Sequence, residues 1–164
     1  MNKTGRAATK PTIGITMGDP AGVGPEIVVK ALGSRKVRSL CRAVVIGRPE
    51  VLEAASRSLD STQRFEPISD TSRKTTAGTS PLVEAGRFLA DLRHGRPRAA
   101  GGRAAVAAIE RAVELTLAGD IDGIVTAPIS KEGIRRGGSP FPGHTEMLAS
   151  LTGTESYAMM LVGG

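Results

Sequence analysis

The sequence predicts an α/β protein, a mostly parallel sheet with flanking helices, and three observations carry that expectation. Short aliphatic runs alternate with helical patterns in the order strand, helix, strand, helix. Those runs are apolar at nearly every position, as strands covered on both faces are. Hydrophobic residues make up 40% of the chain but aromatics only 2%, so the core is aliphatic.

Thr12–Met17 (TIGITM), bounded by Pro11 and Gly18, reads as the first buried strand. The turn GDPAGVG leads into a helix over Pro25–Leu32. Proline suits a first helical turn, where its missing N–H would be unpaired anyway, and Glu26 complements the helix dipole. Gly33 stops it. Ala43–Gly47 is the next strand, and Pro49–Leu59 the next helix, again opened by proline and glutamate. Arg64–Ile68 is a weaker strand candidate and Asp70–Pro81 a Thr/Ser/Gly-rich loop, whereas Leu82–Leu92 fits helix and extended chain equally. Gly101–Ala118 is the clearest helix, with Val106, Ile109, Val113 and Leu117 forming one stripe at three- and four-residue spacing. Then come a strand at Ile121–Val125, a long loop at Thr126–Thr145, a short helix at Glu146–Leu151 and a last strand at Tyr157–Val162. A final strand leaves the alternation unfinished. The expectation is residues 1–10 as a disordered tail, and residues 11–164 as the N-terminal portion of a two-domain protein or a truncated product.

The composition excludes several classes. No run approaches the about 18 apolar residues of a membrane span, and MNKTGRAATK lacks the apolar core of a secretory signal. A single Cys41 allows no intrachain disulfide and fits a reducing cytoplasm. The net charge of +6 invites a nucleic-acid reading. However, the arginines are scattered in two places, around Arg35–Arg42 and around Arg93–Arg103, and there are almost no aromatics for base stacking. Solvated surface arginines are the better reading, and an anionic small molecule remains open.

Two loops draw the chemistry. Ligands of open α/β sheets bind where loops leave the carboxyl ends of strands, and both Gly18–Gly24 and Thr126–Thr145 sit there. The first has a glycine-rich turn feeding a helix N-terminus, which presents free N–H groups to anions. It matches neither GxGxxG nor GxxxxGK[ST]. Asp19 within it either binds a hydroxyl or caps the turn. In the second loop, Thr145 is an N-cap candidate and His144 a cleft hydrogen-bonding group or acid/base. Lys131 either meets a phosphate or carboxylate or is simply solvated. His94 reads as surface. A catalytic metal needs about three protein ligands, and the two histidines and scattered carboxylates supply no such set.

Taken together, three ordered motifs carry a resemblance over Pro11–Gly164, weakest through about 60–96. They are TMGDPAGVGPEI; AAIERAVELTLAGDIDGIVTAPISKEGI; and FPGHTEMLASLTGT followed by AMMLVGG. The chain resembles the N-terminal half of the 4-hydroxythreonine-4-phosphate dehydrogenases of vitamin B6 biosynthesis. The resemblance implies a cytoplasmic, homodimeric, NAD-dependent and metal-requiring oxidoreductase, with a fold similar to the isocitrate and isopropylmalate dehydrogenases. The family oxidises the C3 hydroxyl of 4-phosphooxy-L-threonine, and loss of carbon dioxide gives 3-amino-2-oxopropyl phosphate. By the same resemblance His144 and Thr145 are substrate-binding, and the ligands of the divalent metal lie beyond residue 164. Two alternatives stand beside it: a phosphorylated sugar acid as substrate (4-phospho-threonate or 4-phospho-erythronate), and a non-catalytic fragment.

Overall fold

Among the described residues, five strands form one parallel sheet in the order β3-β4-β2-β1-β5. The structure, a computed structural model, describes residues 10–87 and 93–163. Nearly all of the tail expected at 1–10, and residues 88–92 of the ambiguous stretch, lie outside those described.

The centre of the sheet is β1 (Thr12–Thr16), flanked by β2 (Arg42–Gly47) and β5 (Gly123–Thr126). β4 (Thr79–Glu84) and β3 (Arg64–Pro67) extend it on the β2 side. Because side chains alternate across a strand, β2 feeds two cores. Val45 joins Ile15, Met17 and Leu82 under α1 (Gly24–Gly33) and α3 (Pro49–Ser58). Val44 and Ile46 join Val83 and Ile121 under α4 (Ala99–Leu117). Helices thus cover both faces, which is why the strands read as unbroken apolar runs.

A third cluster joins α4 to α5 (Lys131–Arg136) and α6 (His144–Thr152) through Ile109, Ile134 and Met147. The face of α4 that packs is made of small residues. Ala104, Ala105, Ala108 and Ala112 are buried with Ile109 and Val113, whereas Leu117, expected on the stripe, is exposed. The spacing argument found the helix and misplaced one edge of its face, because alanine carries little weight in a hydrophobic stripe.

Other expectations need correction. The loop expected at Asp70–Pro81 gives way to strand at Thr79, with Pro81 inside β4. Its missing N–H is tolerated because the ladder with β2 begins one residue later, at Leu82. The stretch from Leu82 opens as strand, not helix. α2 (Arg35–Leu40) was not anticipated: it buries no residue, so no periodicity announces it. Capping holds it instead, with the Ser34 hydroxyl accepting from Val37 N and Arg38 Nη1 donating to the Leu32 carbonyl at 2.8 Å. Arg42 likewise donates to the Thr71 and Arg73 carbonyls, so part of the basic cluster is internal bracing rather than solvated surface. Tyr157–Val162 forms no strand and is exposed throughout.

Candidate functional site

β1 and β5 end side by side, Thr16 opposite Thr126, so the loops that follow are neighbours from their first residues. They are tied together by Ala127 N donating to the Thr16 carbonyl at 3.3 Å and Asp19 N donating to the Pro128 carbonyl at 2.9 Å. Gly18 makes this approach possible. Its φ is +74°, and a Cβ there would overlap the Pro128 carbonyl oxygen.

Asp19 is only 5% exposed. Its Oδ1 accepts from Ala21 N at 2.9 Å and its carbonyl accepts from Gly22 N at 3.0 Å. Of the two roles open to Asp19, the geometry supplies the turn cap.

The second loop is not the continuous loop the sequence suggested, because it contains α5. Ser130 caps that helix, its hydroxyl accepting from Gly133 N at 2.9 Å. Glu132 and Arg136 pair across one turn at 2.6 Å. Only six residues long and containing Gly133, α5 gave no helical signal; burial of Gly133 and Ile134 against α4 holds it in place.

After α5 the chain turns through Ser139–Gly143 into α6. Gly143 is the N-cap, and the helix starts at His144 rather than Glu146. Thr145 therefore does not cap it but stands in its first turn. There the backbone N–H groups of an α-helix have no intrahelical partner and face outward with the positive end of the dipole.

A cavity of about 400 Å³ opens at this helix start. His144, Thr145 and Glu146 line it from α6, Lys131 from α5, Pro128 and Ile129 from the loop, and Met159 from the chain beyond. The structure thus brings together three of the residues singled out from the sequence, His144, Thr145 and Lys131. Asp19 lines a neighbouring cavity of about 230 Å³ with Arg96 and Ser130. Glu146, Ile129 and Met159 were missed, since only the placement of α5 and α6 turns them inward.

His144 is partly buried, and its Nε2 is buried without a hydrogen-bond partner among the described residues. Burial lowers its pKa below the ordinary 6.5, opposed by a hydrogen bond with the Ala127 backbone. The imidazole is therefore neutral at pH 7, with one buried nitrogen available to a ligand. Lys131 is exposed, with no hydrogen bond or ion pair among the described residues. The positive side of the cavity is thus Lys131 and the helix start, and the negative side is Glu146. That chemistry suits an anionic ligand carrying hydroxyl groups.

A larger cavity, about 780 Å³, lies at the other end of the sheet, between Lys10, Arg42 and Thr79. It holds neither histidine nor carboxylate and is remote from the strand ends where such folds bind ligands. Among the described residues, no group of three His, Cys, Asp or Glu side chains is placed to hold a metal ion. His94 is exposed, and Cys41 is partly buried with its thiol 3.6 Å from the Val37 carbonyl. No helix among the described residues is long and apolar enough to cross a membrane.

A family model described as pyridoxal phosphate biosynthetic protein PdxA matches residues 39–164. A D-threonate 4-phosphate dehydrogenase from Cupriavidus necator is 46% identical over 93% of this chain and 46% of its own length. A 4-hydroxythreonine-4-phosphate dehydrogenase from Geobacter metallireducens is 42% identical over 94% of this chain and 46% of its own. The crystal structure of a 4-hydroxythreonine-4-phosphate dehydrogenase from Burkholderia phymatum superposes with a TM-score of 0.89 at 45% identity. That match covers 95% of this chain and 48% of that one. The chain spans about half the length of the curated relatives it matches.

Proposed function

Because the chain belongs to the family of the pyridoxal phosphate biosynthetic protein PdxA, we propose that it supplies one wall of the active site of a dehydrogenase. The substrate class is a four-carbon hydroxy acid phosphorylated at its terminal oxygen. The observation that carries this reading is the cavity at the start of α6, lined by both Lys131 and a His144 whose Nε2 is buried without a hydrogen-bond partner among the described residues. A neutral imidazole can hydrogen-bond a substrate hydroxyl or phosphate oxygen, and the Thr145 hydroxyl can donate or accept beside it. Lys131 and the first-turn N–H groups of α6 offset the substrate's negative charge.

4-Phosphooxy-L-threonine, whose oxidation with decarboxylation would give 3-amino-2-oxopropyl phosphate, is one candidate substrate. D-threonate 4-phosphate is the other, favoured by the name of the Cupriavidus necator relative. The two differ in an amino group against a hydroxyl. In this reading the protein is cytoplasmic and dimeric and uses NAD and a divalent cation, the ligands of the cation lying outside the described residues.

The test has two arms. Calorimetric titration of the chain with each phosphorylated acid should show weak binding that His144→Ala abolishes. The chain joined to the family's second half should form NADH with one of the two in the presence of a divalent metal. Absence of turnover with both would sink the proposal.

A further inference from the structure

The cavity of about 780 Å³ at the amino ends of β2 and β4 has a volume in the range of small-molecule sites, about 300–1,000 Å³. One wall comes from the residue before β1, from α2 and from the start of β2, and carries Lys10, Arg38 and Arg42. Lys10 and Arg38 are exposed and Arg42 is partly buried. Each cation is fastened to the fold through backbone carbonyls. Lys10 Nζ donates to the Arg38 carbonyl at 2.7 Å, Arg38 Nη1 to the Leu32 carbonyl at 2.8 Å, and Arg42 to those of Thr71 and Arg73. Such bonds fix the heads without neutralising them, and each head keeps further N–H donors. No carboxylate lines the cavity among the described residues. The acids that reach its surroundings are committed outside it. Asp70, whose charge Arg42 favours, accepts from Ser72 N at 2.8 Å. Glu66 accepts from Thr76 N and the Thr79 hydroxyl and pairs with Arg73.

Three like charges in one concave site focus a positive field that concentrates anions. Guanidinium and ammonium groups together suit a phosphate dianion. The other wall, from the α3–β3 connection and β4, is uncharged and offers hydroxyls. Thr62 makes no hydrogen bond through its side chain among the described residues, and Ser80 Oγ accepts from Gln63 Nε2 at 3.0 Å with its own proton left to donate. We propose that this cavity binds a phosphate ester of a small hydroxylated molecule, the phosphate on Lys10, Arg38 and Arg42 and the hydroxylated body towards Thr62 and Ser80. It is a binding site rather than a second active site, since neither histidine nor carboxylate lines it to move a proton. It uses none of the residues around His144, so this site and the dehydrogenase reading can each fail alone.

Calorimetric titration with ribose 5-phosphate provides the test. Binding should persist in Lys131→Ala, which withdraws the cation of the α6 cavity. Lys10→Gln and Arg38→Gln should each weaken it at least about 10-fold, the worth of one charge-assisted hydrogen bond. Arg103→Gln, at an exposed cation that lines neither cavity, should leave it unchanged. Lys10→Gln removes an exposed side chain ahead of β1, so it reads the site even where Arg38→Gln loosens the Leu32 bond. Cys41, the one cysteine in the sequence, lines the cavity and reports the place of binding. Its alkylation by a neutral maleimide should slow about 10-fold at about ten times the dissociation constant of ribose 5-phosphate, and ribose should not slow it. Inorganic phosphate should bind more weakly than the ester, because it leaves Thr62 and Ser80 unused; equal affinity overturns the assignment of the second wall. The site itself is overturned if neither readout shows binding up to about 10 mM, if binding is lost in Lys131→Ala, or if Lys10→Gln and Arg38→Gln both bind like the parent.

Discussion

The loops leaving β1 and β5 start from paired residues, Thr16 and Thr126, and become different things. The β1 loop turns back on itself, and its one charged side chain, Asp19, is buried with an oxygen committed to Ala21 N. The β5 loop travels further, builds α5 and returns at a cavity where His144 keeps a buried nitrogen without a partner among the described residues. Buried polar groups that find partners within their own turn make scaffold, and one left unpaired has bonding capacity for a ligand. Within the glycine-rich turn Asp19 is committed in this way, and the turn supports the other loop; Thr16 Oγ1, at the strand end before it, is also buried without a partner among the described residues.

That contrast predicts large stability effects on the β1 side and small ones at the cavity. The largest belongs to Gly18→Ala. A left-handed residue with a side chain costs about 1–2 kcal/mol, and overpacking against a backbone carbonyl adds about 1–3 kcal/mol. Both penalties apply at once, because the new Cβ meets Pro128 of the other loop. A fall in the urea midpoint equivalent to about 3 kcal/mol is expected. A variant as stable as the parent would break the claim that this turn braces the site.

Asp19→Ala comes next, at about 1–3 kcal/mol, because it strands the Ala21 N–H in a buried turn. Asp19→Asn retains an acceptor in the same place and should recover most of the loss. If Asn is as damaging as Ala, the charge rather than the cap matters, and the scaffold reading of Asp19 fails.

How much of this was legible in sequence follows from what each element is made of. β1, β2, α1, α3 and α4 announced themselves because their aliphatic spacing and terminal proline or glycine signals act locally. α2 and α5 did not, since one buries nothing and the other is held by Ser130 and by contact with α4. β4 was obscured by Pro81, which is harmless only because of where the β2 ladder begins. At the site, His144, Thr145 and Lys131 were visible as residue types, whereas Glu146, Ile129 and Met159 join them only through the path of α5 and α6. Tyr157–Val162 has a strand's composition without a strand's partner. Composition is local and pairing is not.

The smallest effect is expected at His144, and burial fixes its sign. Withdrawing the imidazole from water disfavours its charged form, so its folded pKa lies below 6.5, the hydrogen bond with the Ala127 backbone only opposing that shift. The unfolded chain, with the ring in water, takes up its proton at higher pH than the folded chain does. Between the two pKa values the unfolded state binds more protons, so stability is lost as pH falls through about 6.5 and is fully present above it. The other shifted groups do not confuse this window. Glu66, through hydrogen bonds from Thr76, and Asp70, through bonds from Ser72, are held below 4.5 and 3.8, so their contributions are lost only in stronger acid. Denaturation midpoints measured from about pH 7.5 down to about pH 5.5 should therefore decline in the parent chain and stay flatter in His144→Gln. Above that window His144→Gln should cost no more than the hydrogen bond with the Ala127 backbone, about 0.5–1.5 kcal/mol, and so less than Gly18→Ala. A decline that survives the substitution, or a parent chain that gains stability on acidification, would mean that His144 is not the buried neutral imidazole that separates the site from its scaffold.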